Sequence, residues 1–422
     1  IIDDEAYSRG TSVYLVDRVV PMLPENLSNG LCSLRPNEEK LTYAAVFEMD
    51  SKGKIHKEWF GRTIICSDHR FAYEEVQYVL DSSDPIVDAT ISLTGKKYEI
   101  PEATFQAINE LNRLAQQYRS HRLSAGAISF DRQEIQFRLD AEDHPEAVYF
   151  KESKAAHQLI EEFMLLANRS VAAFIGKQKP VKPFVYRIHD EPNGDKLENL
   201  QQVVKNFGYK FNPNAKQLNN EINTLLKETH GSNEQNMIDT LTVRCMSKAV
   251  YTTDNIGHYG LGFDFYSHFT SPIRRYPDVL VHRLLDFYLK GGKNVNVDLL
   301  EEACVHTSQR EQLATKAERE SIKYMQVKFM EDKVGQTFDG IISGVTERGI
   351  YVELSSNKCE GMISSRDLSG DHFYYDEQQH AMIGQRTRQV FTLGDPIRIE
   401  VKKANLLKKQ LDFVLAPADQ GN

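Results

Sequence analysis

The densest run of side chains able to do chemistry is Tyr266-Ser-His-Phe-Thr-Ser-Pro-Ile-Arg-Arg-Tyr-Pro-Asp-Val-Leu-Val-His-Arg283. A hydroxyl residue directly before Pro272 is the combination that opens a helix, which places Arg274 and Arg275 in its first turn. A cation there opposes the positive end of the macrodipole and gains nothing locally, so it needs an anion from outside. Backbone N–H groups and guanidinium forks converging at such a start suit a phosphate, and Tyr266, Phe269 and Tyr276 offer surfaces on which a base stacks. The competing reading is an internal ion pair from Arg275 to Asp278. His268, Asp278 and His282 have the residue types of a metal trio, but the four-residue step from Asp278 to His282 is more simply a helix-face pair. No metal ligand is assigned.

Further along, Glu318 sits on a stripe with Ala314, Ile322, Met325 and Phe329. A carboxylate there should face inward, either paired with an arginine or poised for a task. Glu161 and Glu162 border the apolar face of their own helix and on residue type read as a solvated rim. Tyr351 lies on a strand with period-two alternation, directed outward where a base stacks. Between Arg386 and Lys409 seven Lys and Arg stand against Asp395 and Glu400, a local +5 that reads as a phosphate stripe or a solvated basic face. Asp3-Asp4-Glu5 are consecutive, so an extended chain splits them between faces. Asp81, Asp84 and Asp88 read as turn and cap residues. There is no carboxylate quartet for a two-metal reaction, and no P-loop, H-E-x-x-H or G-x-S-x-G signature.

These residues must be positioned by mixed secondary structure. Helical periodicity runs from Ala103 to about Arg119, over Lys154 to Ile175, from Pro272 through Phe287, and from about Asp298 to Asp332. The segments 193–216 and 231–236 are polar and looped at their edges. Beyond Val334-Gly335 the period changes to two, which marks a domain boundary and a small all-β module with barrel-like glycine spacing, Gly344-x4-Gly349. The expected division is therefore 1–333 and 334–422.

At 422 residues, with 51 Lys+Arg against 60 Asp+Glu and a net charge of −9, the chain is long enough for two or three domains with ordinary cores. The acidic balance argues against a general nucleic-acid coat and leaves a local basic groove open. No apolar run approaches a membrane span, and five widely spaced cysteines point to reduced thiols. We expect a soluble, cytoplasmic, monomeric protein with no membrane partner.

The motifs resemble those of the ribonuclease II/ribonuclease R family, the RNB-domain exoribonucleases, with the ribonuclease R branch the best match. The residues that carry the likeness are Ala6-Tyr-Ser-Arg-Gly-Thr-Ser-Val-Tyr14, Pro21-Met-Leu-Pro-Glu-Asn-Leu-Ser-Asn-Gly-Leu-Cys-Ser-Leu34, Gly126-Ala-Ile-Ser-Phe130, Leu159-Ile-Glu-Glu-Phe-Met-Leu-Leu-Ala-Asn168, His268 through Asp278 and Ala317-Glu-Arg319, in the family's order. The resemblance implies an α+β fold: an RNB-type mixed α/β catalytic domain, incomplete at its N-terminus, followed by a small OB-fold S1 domain. It implies 3′-to-5′ hydrolysis of single-stranded RNA to nucleoside 5′-monophosphates with two Mg2+ ions. Carried over by position, Tyr14 holds the 3′-terminal nucleotide, Arg274 clamps the scissile phosphate, and Glu318 lies beside the departing nucleotide. Phe130 stacks on a base, while Tyr73 and Glu161 contact terminal riboses. Arg275 and Tyr351 complete the expected RNA contacts.

The likeness also has a gap. The family's D-x-D-D metal cluster belongs before Tyr14, and this chain begins too late to hold it; the two cold-shock barrels are absent as well. A fragment that binds no Mg2+ and lacks activity as it stands is therefore expected. Arg348 and Ser364 replace an aromatic and a histidine usual in S1 domains, so stacking there should be weaker. The rival class is an RNA-binding protein with a degenerate RNB domain that never hydrolyses.

Overall fold

The computed structural model describes residues 1–417 apart from 130–133, 233, 294 and 377–380. The chain opens with α1 (Ile2–Arg9) rather than an extended segment. Asp3, Asp4 and Glu5 occupy its first turn, where the positive end of the macrodipole favours carboxylates. Asp3 then receives hydrogen bonds from Arg283 at 2.7 Å and from the Tyr276 hydroxyl at 3.0 Å, which ties the start of the chain to a helix more than 270 residues away.

A long antiparallel hairpin follows, Glu39–Met49 with Ile55–Cys66, in which Tyr43 faces Arg62. Next come α2 (Tyr73–Ser82), α3 (Glu102–Ser124), the hairpin of Glu134–Leu139 with Pro145–Lys151, and α4 (Ala155–Gly176). The run 193–216 holds more order than its polarity promised. Its helix α5 (Gly194–Asn206) is capped by the Asn193 side chain and packs with α6 (Leu218–Glu228) and α7 (Gln235–Cys245) around Leu197, Leu200, Val204, Ile222, Leu225 and Ile238. Those apolar residues recur every three or four positions inside a charged composition, and one narrow stripe is enough to seat a helix.

The helix carrying the arginine-rich motif, α8 (Tyr276–Leu289), starts four residues later than Pro272 would have it. Arg275 is the extended N-cap residue and Pro277 lies in the first turn. Thr11 pairs with Arg275 as an antiparallel bridge, and Tyr276 donates its N–H to Gly10 O at 2.9 Å. This pairing holds the segment before Tyr276 out of the helix, so Arg274 is presented on a strap and not on a first turn. The main core lies beneath it, where α4, α8 and the long hairpin bury Val171, Ile175, Phe184, Val281, Leu285 and Phe60. Each such side chain contributes on the order of 1.5–3 kcal/mol on burial.

Then α9 (Val297–Phe329) leads to a closed five-stranded barrel of Thr337–Thr346, Gly349–Leu354, Glu360–Ser364, Gln410–Leu415 and Pro396–Asn405, neighbours in that order. Val327 and Met330, at the end of α9, belong to the barrel's own core with Ile350, Val352, Ile363 and Phe413. Gly349 has φ 146°, and a Cβ there would collide with the Ile363 carbonyl, so the tight start of that strand requires glycine. The five cysteines are free, and burial pushes the Cys304 and Cys359 thiols up to about 12. Among the described residues no helix is long and apolar enough to cross a membrane.

Candidate active site

Between the long hairpin, the 269–274 strap and α8 lies a cleft of about 1510 Å3, with Tyr14, Arg274, Tyr43, Thr270 and His282 among its lining residues. The two adjacent arginines have opposite fates there. The Arg275 guanidinium is bidentate on Asp278, at 2.8 and 2.9 Å, so the internal ion pair is what the structure holds and Arg275 is not free for an external anion. Asp278 is fully buried and also accepts the Ser271 N–H at 2.7 Å, which locks both ends of the strap. The guanidinium of Arg274 has no such partner among the described residues; only its backbone is engaged, the carbonyl accepting from Ser12 N–H and Thr11 hydroxyl, each at 3.0 Å. Two buried hydroxyls in the same cleft, Tyr43 and Thr270, also lack partners. Buried polar atoms left unsatisfied in a cleft wall are what a polar ligand would complete.

Tyr14 reaches this cleft with its side chain about half exposed, and its backbone N–H donates to Glu318 Oε1 at 2.9 Å. Glu318 is half-buried and its partner is the strand carrying Tyr14, not an arginine. Tyr14 and Arg274 thus line one cleft, while Glu318, 304 residues from Tyr14, reaches the Tyr14 backbone and is not itself among the residues that line the cleft.

The other expected contacts form separate groups. Tyr73 opens α2 and stacks on His157 of α4 with ring centres 4.1 Å apart and 11° between planes. Glu161, one turn beyond His157, is exposed and 3.6 Å from Arg122. Glu162 is not on a solvated rim: it is 3% exposed and receives both Nε and a terminal nitrogen of Arg122. Phe130 lies outside the described residues. Tyr351 is not directed into open solvent but lines a cleft of about 340 Å3 together with Asn199 and Val203 of α5 and Arg244 of α7. The basic run is partly spent internally, since Lys402 pairs with Asp367 at 2.7 Å and Lys409 with Glu320 at 2.5 Å.

Two positioning groups escaped the sequence reading. Asn168, buried in α4, accepts the N–H groups of Phe269 and Thr270 at 2.8 and 3.2 Å and so holds the strap from behind. Its signal was present, an amide inside the apolar run Leu165-Leu-Ala-Asn168, where an unsatisfied polar group would be costly. The second is the role of His268, singled out in the sequence only as a metal-trio candidate: its Nδ1 meets the Tyr251 hydroxyl at 2.7 Å, while His282 Nε2 meets Phe269 O at 2.7 Å. With Asp278 engaged by Arg275, these three do not face a common ion. Burial, then the charges of Arg275, Arg187 and Arg274, hold the His268 pKa well below its ordinary value. The folded protein therefore keeps His268 neutral, and the unfolded chain takes up a proton below about pH 6.5. This stabilisation is fully present above that pH and is lost as pH falls, at about 1.4 kcal/mol per pH unit for one histidine. Thermal denaturation from pH 7.5 to 5 should show a falling midpoint that is flatter in His268→Gln; identical slopes would refute the assignment.

The RNB domain family profile matches residues 1–291 and that of the S1 RNA binding domain matches residues 331–413. Ribonuclease R of Aquifex aeolicus is 36% identical over 98% of this chain and 57% of its own length, and that of Escherichia coli is 32% identical over 99% and 51%. The chain thus spans about half the length of the curated relatives it matches. The solved structure of Mycoplasma genitalium RNase R in complex with ribose methylated single-stranded RNA superposes with a TM-score of 0.89, at 27% identity, covering 98% of this chain and 64% of that one. Since the first profile covers more than half of the chain and the second coincides with the barrel, the chain belongs to the RNB-domain family of ribonuclease II and ribonuclease R and carries an S1 domain.

Proposed function

We propose that this chain supplies the RNA-gripping machinery of a cytoplasmic exoribonuclease that degrades single-stranded RNA from its 3′ end to nucleoside 5′-monophosphates. The observation that carries the reading is the contrast between Arg275, neutralised by Asp278, and Arg274, whose guanidinium has no partner among the described residues in the cleft that Tyr14 also lines. A guanidinium fork held in a cleft, with no carboxylate of its own, is placed to bind a phosphodiester and to stabilise the charge that develops on it. The Tyr14 ring offers a stacking surface next to that phosphate, and Glu318 fixes the Tyr14 backbone. The Mycoplasma relative solved with RNA supports RNA as the ligand.

In this family the chemistry of Mg2+ is activation of water. The residues here do not fit such a centre. Among the described residues the group of possible ligands is Asp140, Glu142 and His144, in the turn of a hairpin that does not line the cleft, where the Asp140 carboxylate is already taken by the N–H groups of Glu142 and His144. No step is derived through a metal. The test is to incubate the chain with 5′-labelled single-stranded RNA and Mg2+ beside a filter-binding titration. Binding without shortening is expected. A ladder receding from the 3′ end, surviving repurification, would show that carboxylates within these residues hold the ions after all. No binding at low salt would remove the reading.

Tyr73 provides an independent check. One face of its ring is covered by His157 and the side chain remains 41% exposed, so the free face is available to a base. Tyr73→Ala should weaken single-strand binding by about 1–3 kcal/mol. Unchanged affinity for a long oligonucleotide would remove Tyr73 from the RNA path.

A further inference from the structure

A second pocket, of about 590 Å3, shares no lining residue with the Arg274 cleft. Arg169 of α4 and Lys177 at the helix's C-terminal end give it two cations, Glu58 of the long hairpin and Asp264 give it two carboxylates, and Phe263 and Phe265 give it half-exposed rings. Arg169 is the unusual member. Its guanidinium is held over the rings of Tyr118 and Phe263, 5.7 and 5.5 Å from their centres. Among the described residues it makes no hydrogen bond and no ion pair. The carboxylate whose charge reaches it, Glu162, is already committed to Arg122. Burial accordingly lowers the Arg169 pKa from its ordinary value.

A half-buried guanidinium that lines a pocket and has no acceptor among the described residues keeps its N–H groups available to an anion entering that pocket. Contact with two rings restrains the guanidinium, so less entropy is lost when an anion docks. The opposed carboxylates narrow the choice of ligand. They accept hydrogen bonds and donate none, so they disfavour a bare anion and favour one that brings hydroxyl groups with it. Phosphate, vicinal hydroxyls and a flat ring together describe one class of molecule.

We propose that this pocket binds a ribonucleoside 5′-monophosphate, with its phosphate on Arg169 and Lys177, its ribose hydroxyls donating to Glu58 or Asp264, and its base against Phe263 and Phe265. The argument uses none of the exonuclease reading and does not fall with it.

The test is calorimetric titration of the full chain with adenosine 5′-monophosphate, its 2′-deoxy counterpart and inorganic phosphate, together with photolabelling by 8-azidoadenosine 5′-monophosphate and peptide mapping. We expect saturable one-to-one binding of the ribonucleotide, severalfold weaker binding of the deoxynucleotide, and at least tenfold weaker binding of inorganic phosphate. Arg169→Met should lower ribonucleotide affinity at least tenfold and Arg169→Lys should restore part of it. Label should appear on the peptide carrying Phe263 and Phe265. Arg169→Met keeps an apolar stem against the two rings, so its thermal midpoint without ligand should stay within about a degree or two of that of the unsubstituted chain, whereas a merely structural arginine would lower it clearly. A titration of Arg169→Met superimposable on the original, or label confined to peptides outside this pocket, would overturn the site. Equal affinity for the two sugars would overturn the hydroxyl contacts.

Discussion

Asp278→Ala is expected to cost about 3–5 kcal/mol of folding stability, the range for removing one partner of a buried ion pair. The side chain is fully buried, and its loss leaves the Arg275 guanidinium desolvated and uncompensated and the Ser271 N–H without an acceptor. Asp278→Asn keeps an oxygen for Ser271 but not the charge for Arg275, so it should fall between the two. Urea unfolding followed by far-UV circular dichroism measures the difference. A loss below 1 kcal/mol for Asp278→Ala would mean that the strap is held by its pairing with Thr11 and by Asn168 and not by the carboxylate. The two substitutions also separate stability from positioning, since any weakening of RNA binding in a folded Asp278→Asn variant reports a displaced Arg274.

On the proposed reading, Arg274→Ala in an active full-length protein should lower turnover of single-stranded RNA on the order of 10²–10³-fold, about 2.7–4 kcal/mol of transition-state stabilisation. The substitution should leave stability nearly unchanged, because the side chain has no partner among the described residues to lose. Single-turnover digestion with saturating enzyme isolates the chemical step from binding. Near-normal turnover would end the assignment of Arg274 as the phosphate clamp. Arg274→Lys tests the geometry further: a point charge restoring most of the rate would show that charge, and not the planar fork, is what the cleft uses.

The elements that reveal themselves in a sequence are those with a long, regular apolar stripe. α3, α4 and α9 were visible for that reason, and the alternation around Tyr351 announced the barrel. What stayed hidden depends on partners distant in the chain. Nothing near Pro272 reveals that residues 10–12 will pair with Arg275 and Tyr276 and delay the start of α8, and local capping rules therefore placed both arginines one turn too deep. An ion pair from Arg275 to Asp278 is one of two readings the residue types allow, the other being an external anion, and the three-dimensional register decides for the pair. Glu162 shows the same limit: it lies on the buried face of α4 between Leu159 and Leu166 and not at the edge where residue type placed it, because Arg122 arrives from α3 to pair with it. Tyr14 and Arg274 were singled out by family likeness, and their place in one cleft is set by pairings between distant segments that no periodicity gives.

The 33 residues of α9 form one unbroken rod, roughly 50 Å long at 1.5 Å per residue. One end is anchored where Glu301 accepts from Thr252 and Thr253, the other is sunk in the barrel through Val327 and Met330, and Glu318 grips the Tyr14 strand in between. A rod fixed at both ends transmits load. Tension on a strand held by the barrel would therefore be felt at Tyr14 as a small axial displacement, and a tilt of the barrel would either bend the helix or drag the Tyr14 strand with it. On the proposed reading, in which the barrel and Tyr14 both touch the RNA, a single mechanical part couples the two contacts, so drag on one should alter binding at the other.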